Sequence, residues 1–333
     1  MIIDVHAHYH PDAYIEFISG GKGQGGAFLR NLSGSGNRPG QLEARLAAMD
    51  RAGVQMQVLS AGASSPYSDK REQACAAARL VNDEYAELSQ RYPQRFSAYA
   101  ALPLPHLDDS LRELERALDQ LGMVGAYVTA SVLNQSVAAP HFVPLWEELN
   151  RRGLPLFVHP AGNSLCAPLI VEHGLTWAIG APMEDTVITA QLIVYQIPLR
   201  YPRVKIIASH LGGALPMVLG RMDHTRPTYG TRFQLTEAPS VTARRMWYDT
   251  VAHNSLPALR CAREMFGAAR LVFGSDYPLH QQDDHYRTSV NLIREADLSP
   301  GEATQILETN ARALFPTLMS HANESMRDVV AKA

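Results

Sequence analysis

A chain of 333 residues with 46% hydrophobic and 19% charged residues has the composition of a globular protein with a large core. Its net charge of -3 leaves no basic excess, which argues against nucleic acid or an anionic membrane as partner and favours a small molecule. No run of about 18 apolar residues and no basic-then-apolar leader occurs, and Cys75, Cys166 and Cys261 lie far apart, so the expectation is a reducing, cytoplasmic setting without a disulfide framework.

The first ten residues, MIIDVHAHYH, read as a strand. Alternate side chains of a strand share a face, so Asp4, His6 and His8 point one way, and the two imidazoles form a pincer for a metal ion. Residues 19–40 are glycine-rich and without periodicity, which predicts a flexible loop. Within it Gly21-x-Gly23-x-x-Gly26 matches a dinucleotide fingerprint, but no helical pattern follows closely, and the match is read as chance.

From Leu42 the chain alternates. Helix-like LEARLAAMDRAG precedes a second strand, Val54 to Ser60, and a long amphipathic helix from about Lys70 to Arg91. Further strands are read at Phe96 to Leu102, Val124 to Ala130, Leu154 to Pro160 and Val204 to His210, with a weaker one at Met246 to Val251 and the last at Arg270 to Asp276. Helical patterns lie between most of them, and one over 299–314 closes the series. Eight short apolar strands alternating with helices predict one (β/α)8 TIM barrel over residues 1–316, with a C-terminal tail, 317–333. An open doubly wound sheet is the alternative.

Ligands and catalytic groups of such a barrel sit where strands end at their carboxyl side. His6 and His8 end strand one, His159 ends strand five, His210 ends strand six and Asp276 ends strand eight. An apolar strand has no packing reason to finish on His or Asp. The set supplies three imidazoles and a carboxylate for an ion (His6, His8, His159 and Asp276), and leaves His210 as an acid/base group. Zinc suits so nitrogen-rich a set best, with manganese, cobalt or iron(II) also compatible.

His6-x-His8, His159-Pro160, Ser209-His210 with Gly212-Gly213, Gly220-Arg221-Met222 and Gly274-Ser275-Asp276-Tyr277-Pro278 together resemble the amidohydrolase-related group that includes aminocarboxymuconate semialdehyde decarboxylase, from Met1 to about Pro316. The resemblance implies a barrel with one divalent metal, usually zinc and sometimes manganese, held by His6, His8, His159 and Asp276, with His210 catalytic. It also implies substrate contacts from Trp177 and Arg221, and a homodimer. The chain departs from the decarboxylase pattern at Ala161-Gly162, where an aromatic residue is expected after His-Pro, and a second substrate arginine corresponds to either Arg30 or Arg38. Strand four offers neither Lys nor Glu to bridge a second metal.

With an unsaturated or aromatic carboxylate as substrate, these parts predict non-oxidative decarboxylation. His210 delivers a proton to the carbon bearing the carboxylate, Asp276 is both ligand and proton acceptor, and Arg221 grips the carboxylate. Hydrolysis or hydration by the same parts is the alternative, and a non-catalytic binder is disfavoured because a binder needs no acid/base pair beside its ion. The remaining histidines, His10, His224, His253, His280 and His285, are each read as surface or capping groups. His253, shortly after strand seven, and Tyr277 are the additional pocket candidates.

Overall fold

In a computed structural model of the chain, residues 1–20, 24–279 and 284–316 and Leu318 are described. Eight strands lie in sequence order in one parallel sheet: β1 Ile2–His8, β2 Val54–Ser60, β3 Phe96–Ala100, β4 Gly125–Thr129, β5 Pro155–His159, β6 Lys205–Ala208, β7 Trp247–Asp249 and β8 Leu271–Val272. The ends of this sheet meet. Val5 N–H donates to Phe273 O at 2.9 Å, Asp276 N–H to His6 O at 2.8 Å and His8 N–H to Tyr277 O at 2.7 Å, closing the (β/α)8 barrel.

The strands are mostly apolar and almost wholly buried on both sides because the crossover helices cover the outer face. The helix Leu107–Asp119 shows how the sequence specifies this: Leu107, Leu111, Leu114 and Leu118 recur at helical spacing and pack on the core, while Arg112 and Glu115 fall between them. Inside the barrel, Tyr99 and Phe157 stack with ring centroids 5.4 Å apart, and the His6 ring meets Phe157 edge-on at 4.8 Å. The aromatic pair is the floor on which the first histidine rests.

Three expectations change. The glycine-rich stretch 19–40 is not wholly a structureless loop: it follows the helix Asp12–Ser19 and itself contains a second helix, Gln24–Asn31. Beyond them the fully buried Arg45 donates through Nε to Gly34 O at 2.8 Å, and its guanidinium also bonds His8 O and Gln57 Oε1. Those bonds, with His10 N–H to Ser35 O at 2.7 Å, tie the segment to the end of β1, which local glycine content could not reveal. Gly21 and Gly23 of the fingerprint-like match lie outside the described residues.

The eighth strand is much shorter than Arg270 to Asp276. After Val272 the chain leaves the β7 ladder, Phe273 N–H turning to Ile306 O and Gly274 N–H to Thr250 Oγ1. The seventh is likewise trimmed to Trp247–Asp249. The closing helix runs from Pro300 to Leu314 with a π turn at Gln305–Thr309, and begins in a capping box made by Ser299 and Glu302. His280 and the tail from residue 319 lie outside the described residues, and no described helix is long and apolar enough to cross a membrane.

Candidate metal centre

Four side chains from three strand ends converge. One donor atom from each of His6, His8, His159 and Asp276 lies within 4.8 Å of the others, and all four residues are buried. Asp276 Oδ1 stands 2.8 Å from His8 Nε2 and 3.2 Å from His6 Nε2, and the two Nε2 atoms are 3.1 Å apart. Their outer nitrogens are already used. His6 Nδ1 is 2.6 Å from Asp249 Oδ2, His8 Nδ1 is 3.1 Å from Ser60 Oγ, and His159 Nδ1 is 2.8 Å from Pro160 O.

A carbonyl only accepts, so Nδ1 of His159 carries the proton and Nε2 carries the lone pair. That Nε2 is buried and has no hydrogen-bond partner among the described residues. An unpaired buried lone pair is costly, and here it belongs to a group of donors spaced for one cation. Burial, with the neighbouring histidines, holds the His159 imidazole well below the usual histidine range, and burial also lowers His8. Burial opposes charge on His6 too, but Asp249 and Asp276 override it and push this ring up to about 9. The carboxylates therefore call for positive charge at the cluster, which a proton on His6 or a cation among the rings supplies. The residues present fit a divalent metal.

Asp4 is not part of the set. β1 pairs with β2 with a register shift between Asp4 and Ala7, and the Asp4 carboxylate instead accepts Ser275 Oγ–H at 2.6 Å and Tyr286 O–H at 2.8 Å. Gly274, two residues before Asp276, explains how the last strand comes so close. A Cβ there would stand 2.8 Å from His6 Cβ and 2.9 Å from Asp249 Cβ, so only glycine lets Asp276 reach the histidines.

Beside the cluster, His210 Nε2 lies 3.8 Å from Asp276 Oδ2, and its Nδ1 is 2.9 Å from Asp185 Oδ2. Asp185 is buried and also accepts Ser209 Oγ–H at 2.7 Å. Burial works against a charged His210, but Asp185 and Asp276 raise it well above the usual range. The His253 ring stacks on it, centroids 5.8 Å apart and planes 15° from parallel.

The other candidates are placed less centrally. Trp177 is 60% exposed on a π turn, Thr176–Gly180, with its ring edge 2.7 Å from where a Cβ on Gly162 would be. Glycine at 162 thus makes room for that indole above the residues that follow His159. Arg221 is exposed on the helix Leu215–Phe233. Tyr277 packs between the Arg45 guanidinium and the Tyr286 ring and against Gly34, contacts that belong to the scaffold. Arg38 Nε lies 2.9 Å from Asp12 and Arg30 Nε 4.0 Å from the same carboxylate, so both flank one acid at the start of a surface helix.

Three acidic residues were absent from the sequence-based reading. Asp249 ends β7, and the strand-end rule that selected the others applies to it; the weakness of the seventh strand hid it. Asp185 and Glu184 sit on the helix Ala181–Val194 and carry no local signal. Glu184 accepts the backbone N–H groups of Ala161, Gly162 and Ser164, and so shapes the loop after His159.

Comparison with known proteins agrees with this geometry. Residues 3–317 match the family model described as Amidohydrolase. The chain is 30% identical over 295 residues to a gamma-resorcylate decarboxylase of Rhizobium radiobacter, covering 82% of this chain and 86% of that protein. It is 26% identical over 259 residues to a 2-amino-3-carboxymuconate-6-semialdehyde decarboxylase of Dictyostelium discoideum, covering 76% and 70%. Among solved structures, a dihydroxybenzoic acid decarboxylase from Polaromonas sp. JS666, with bound manganese and the inhibitor 2-nitroresorcinol, superposes with a TM-score of 0.79 at 24% identity over 95% of this chain and 96% of that one.

Proposed function

Because the chain belongs to the amidohydrolase family, we propose that it is a metal-dependent, non-oxidative decarboxylase of an aromatic carboxylic acid. The observation that carries the proposal is the placement of His210, with Nδ1 held by Asp185 and Nε2 3.8 Å from the Asp276 carboxylate at the edge of the metal-competent cluster. The two relatives at 30% and 26% identity are both decarboxylases of unsaturated or aromatic acids.

His6, His8, His159 and Asp276 would hold a divalent ion, which would supply Lewis acidity toward an anionic substrate. Three imidazoles and one carboxylate suit zinc and admit manganese, the ion held by the Polaromonas protein. The protein's own part is positioning and proton delivery. His210 Nε2 transfers its proton to the ring carbon that bears the carboxylate; the new C–H bond forms, the C–C bond breaks, and its electron pair restores the aromatic system as carbon dioxide leaves. Asp185 holds the Nδ1 proton throughout, which keeps Nε2 aimed at the substrate, and Asp276 faces the proton as it moves. Arg221, Trp177 and His253 are proposed to line the substrate side, Arg221 by pairing with a carboxylate.

We also propose a cytoplasmic homodimer. Cys75, Cys166 and Cys261 are all free thiols, and Leu169, Val171, Leu175, Trp177 and Ile179 form an exposed apolar run suited to burial against a second copy. Light scattering on the purified chain tests the dimer.

The test of function is a panel of hydroxybenzoates and carboxymuconate-type acids incubated with zinc- or manganese-loaded protein. Carbon dioxide release is read in one assay and new acid groups in another. Carbon dioxide with loss of the substrate carboxylate is the expected result; a new acid without carbon dioxide would replace the proposal with a hydrolase.

A further inference from the structure

We propose that His210, His253 and Asp276 form a second, weaker site for a divalent cation, and that an ion bound there switches the enzyme off. The inference rests on the metal-dependent reading above, but concerns a different ion. One donor atom from each of the three residues lies within 4.8 Å of the others. The Asp276 carboxylate divides its two oxygens: Oδ1 faces His6 and His8, and Oδ2 faces His210 at 3.8 Å. A carboxylate so placed bridges two cations about 3.5–4 Å apart, the separation of two-metal sites.

The histidines are arranged for the same purpose. Asp185 engages Nδ1 of His210, the carboxylate–histidine arrangement that presents Nε2 to a metal. His253 is exposed, its ring stacked nearly parallel on that of His210, so an ion arriving from solvent meets both. Both residues adopt left-handed backbone conformations, φ 49° at His210 and 46° at His253. Asp249 Oδ1 accepts the N–H of His210 at 2.9 Å and of Val251 at 3.0 Å, so one buried carboxylate clamps together the two loops that carry them. These constraints hold the pair together and, through the other oxygen of Asp249, tie it to His6 of the four-residue cluster.

Affinity at this site is lower because only three donors serve it, one is shared, and a neighbouring cation repels the second. Occupancy removes His210 Nε2 from proton transfer, since a nitrogen whose lone pair binds a metal carries no proton. No bond to substrate is made or broken by the second ion. It acts by occupying the proton carrier.

The probe is zinc. Protein loaded with one equivalent is dialysed against zinc from trace to large excess, bound metal is counted, and the rate is measured in parallel. We expect a tight first equivalent, a weaker second one, and inhibition that follows the second and reverses on dilution. In His253→Gln the first equivalent stays, which reports an intact barrel, while the second equivalent and the inhibition each need at least about tenfold more zinc, every rate being referred to that variant without added zinc. One ion per chain at every excess overturns the proposal, as does a second ion whose binding is unchanged in His253→Gln. Absence of the tight first equivalent would instead overturn the metal-dependent function itself.

Discussion

The Asp249 carboxylate holds His6 and His210 at once: Oδ2 lies 2.6 Å from His6 Nδ1, and Oδ1 accepts the His210 backbone N–H at 2.9 Å. A single buried side chain thus sets the distance between a candidate ligand and the candidate proton donor. Asparagine keeps the size but removes the charge and replaces one accepting oxygen with a donating NH2, so either the His6 ring N–H or the backbone N–H groups of His210 and Val251 lose their acceptor. We expect Asp249→Asn to lose about 10–100-fold in metal affinity, read by competition with a chelator, and to remain folded. Unchanged affinity would show that the pair is only structural.

Metal removal should abolish turnover reversibly. Exhaustive chelation followed by added zinc or manganese is expected to restore the rate, with one equivalent sufficing. His159→Ala removes the one buried ring nitrogen that has no partner among the described residues, so its metal content should fall together with activity. A chelated protein that is fully active would end the metal-dependent reading.

His210 and Asp185 should separate from the ligands in kinetics. His210→Asn is expected to keep its metal and lose about 10²–10⁴-fold in kcat, the usual worth of a positioned proton donor. Asp185→Asn leaves the imidazole in place but loosens its orientation, so kcat should fall by a smaller factor with KM nearly unchanged. Loss of metal from either variant would move the residue into the ligand set.

Gly274→Ala tests the close approach of the last strand. A methyl group would meet His6 Cβ at 2.8 Å and Asp249 Cβ at 2.9 Å, and relief requires Asp276 to move away from the histidines. We expect a loss of about 1–3 kcal/mol in urea unfolding of the metal-free protein, together with weaker metal binding. Stability and metal affinity that both match the parent would show that the backbone yields freely there.

Arg221 and Trp177 carry the substrate side of the proposal. Arg221→Ala should raise KM for carboxylate substrates by the worth of a charge-assisted contact, about 1.5–3 kcal/mol, with little change in kcat. Trp177→Ala should raise KM for aromatic acids selectively. If neither KM moves for a good substrate, the anionic group is gripped elsewhere.

The residues His6, His8, His159, His210 and Asp276 were legible before any fold was known, for a local reason. Each interrupts or ends an apolar run, and a buried strand does not finish on such a side chain for packing. The barrel was legible on the same terms, because hydrophobic periodicity is a property of neighbouring residues. Tertiary structure decided the rest. Asp185 lies on a helix and Asp249 on a short strand, and neither has meaning until the sheet closes and places His210 and His6 against them. The order in residues 24–36 was equally hidden, since it depends on a buried arginine and on the end of β1 rather than on the glycines. A chain announces which side chains are out of keeping with their element, but which carboxylate orients which imidazole is fixed only by the meeting of elements far apart in the polypeptide.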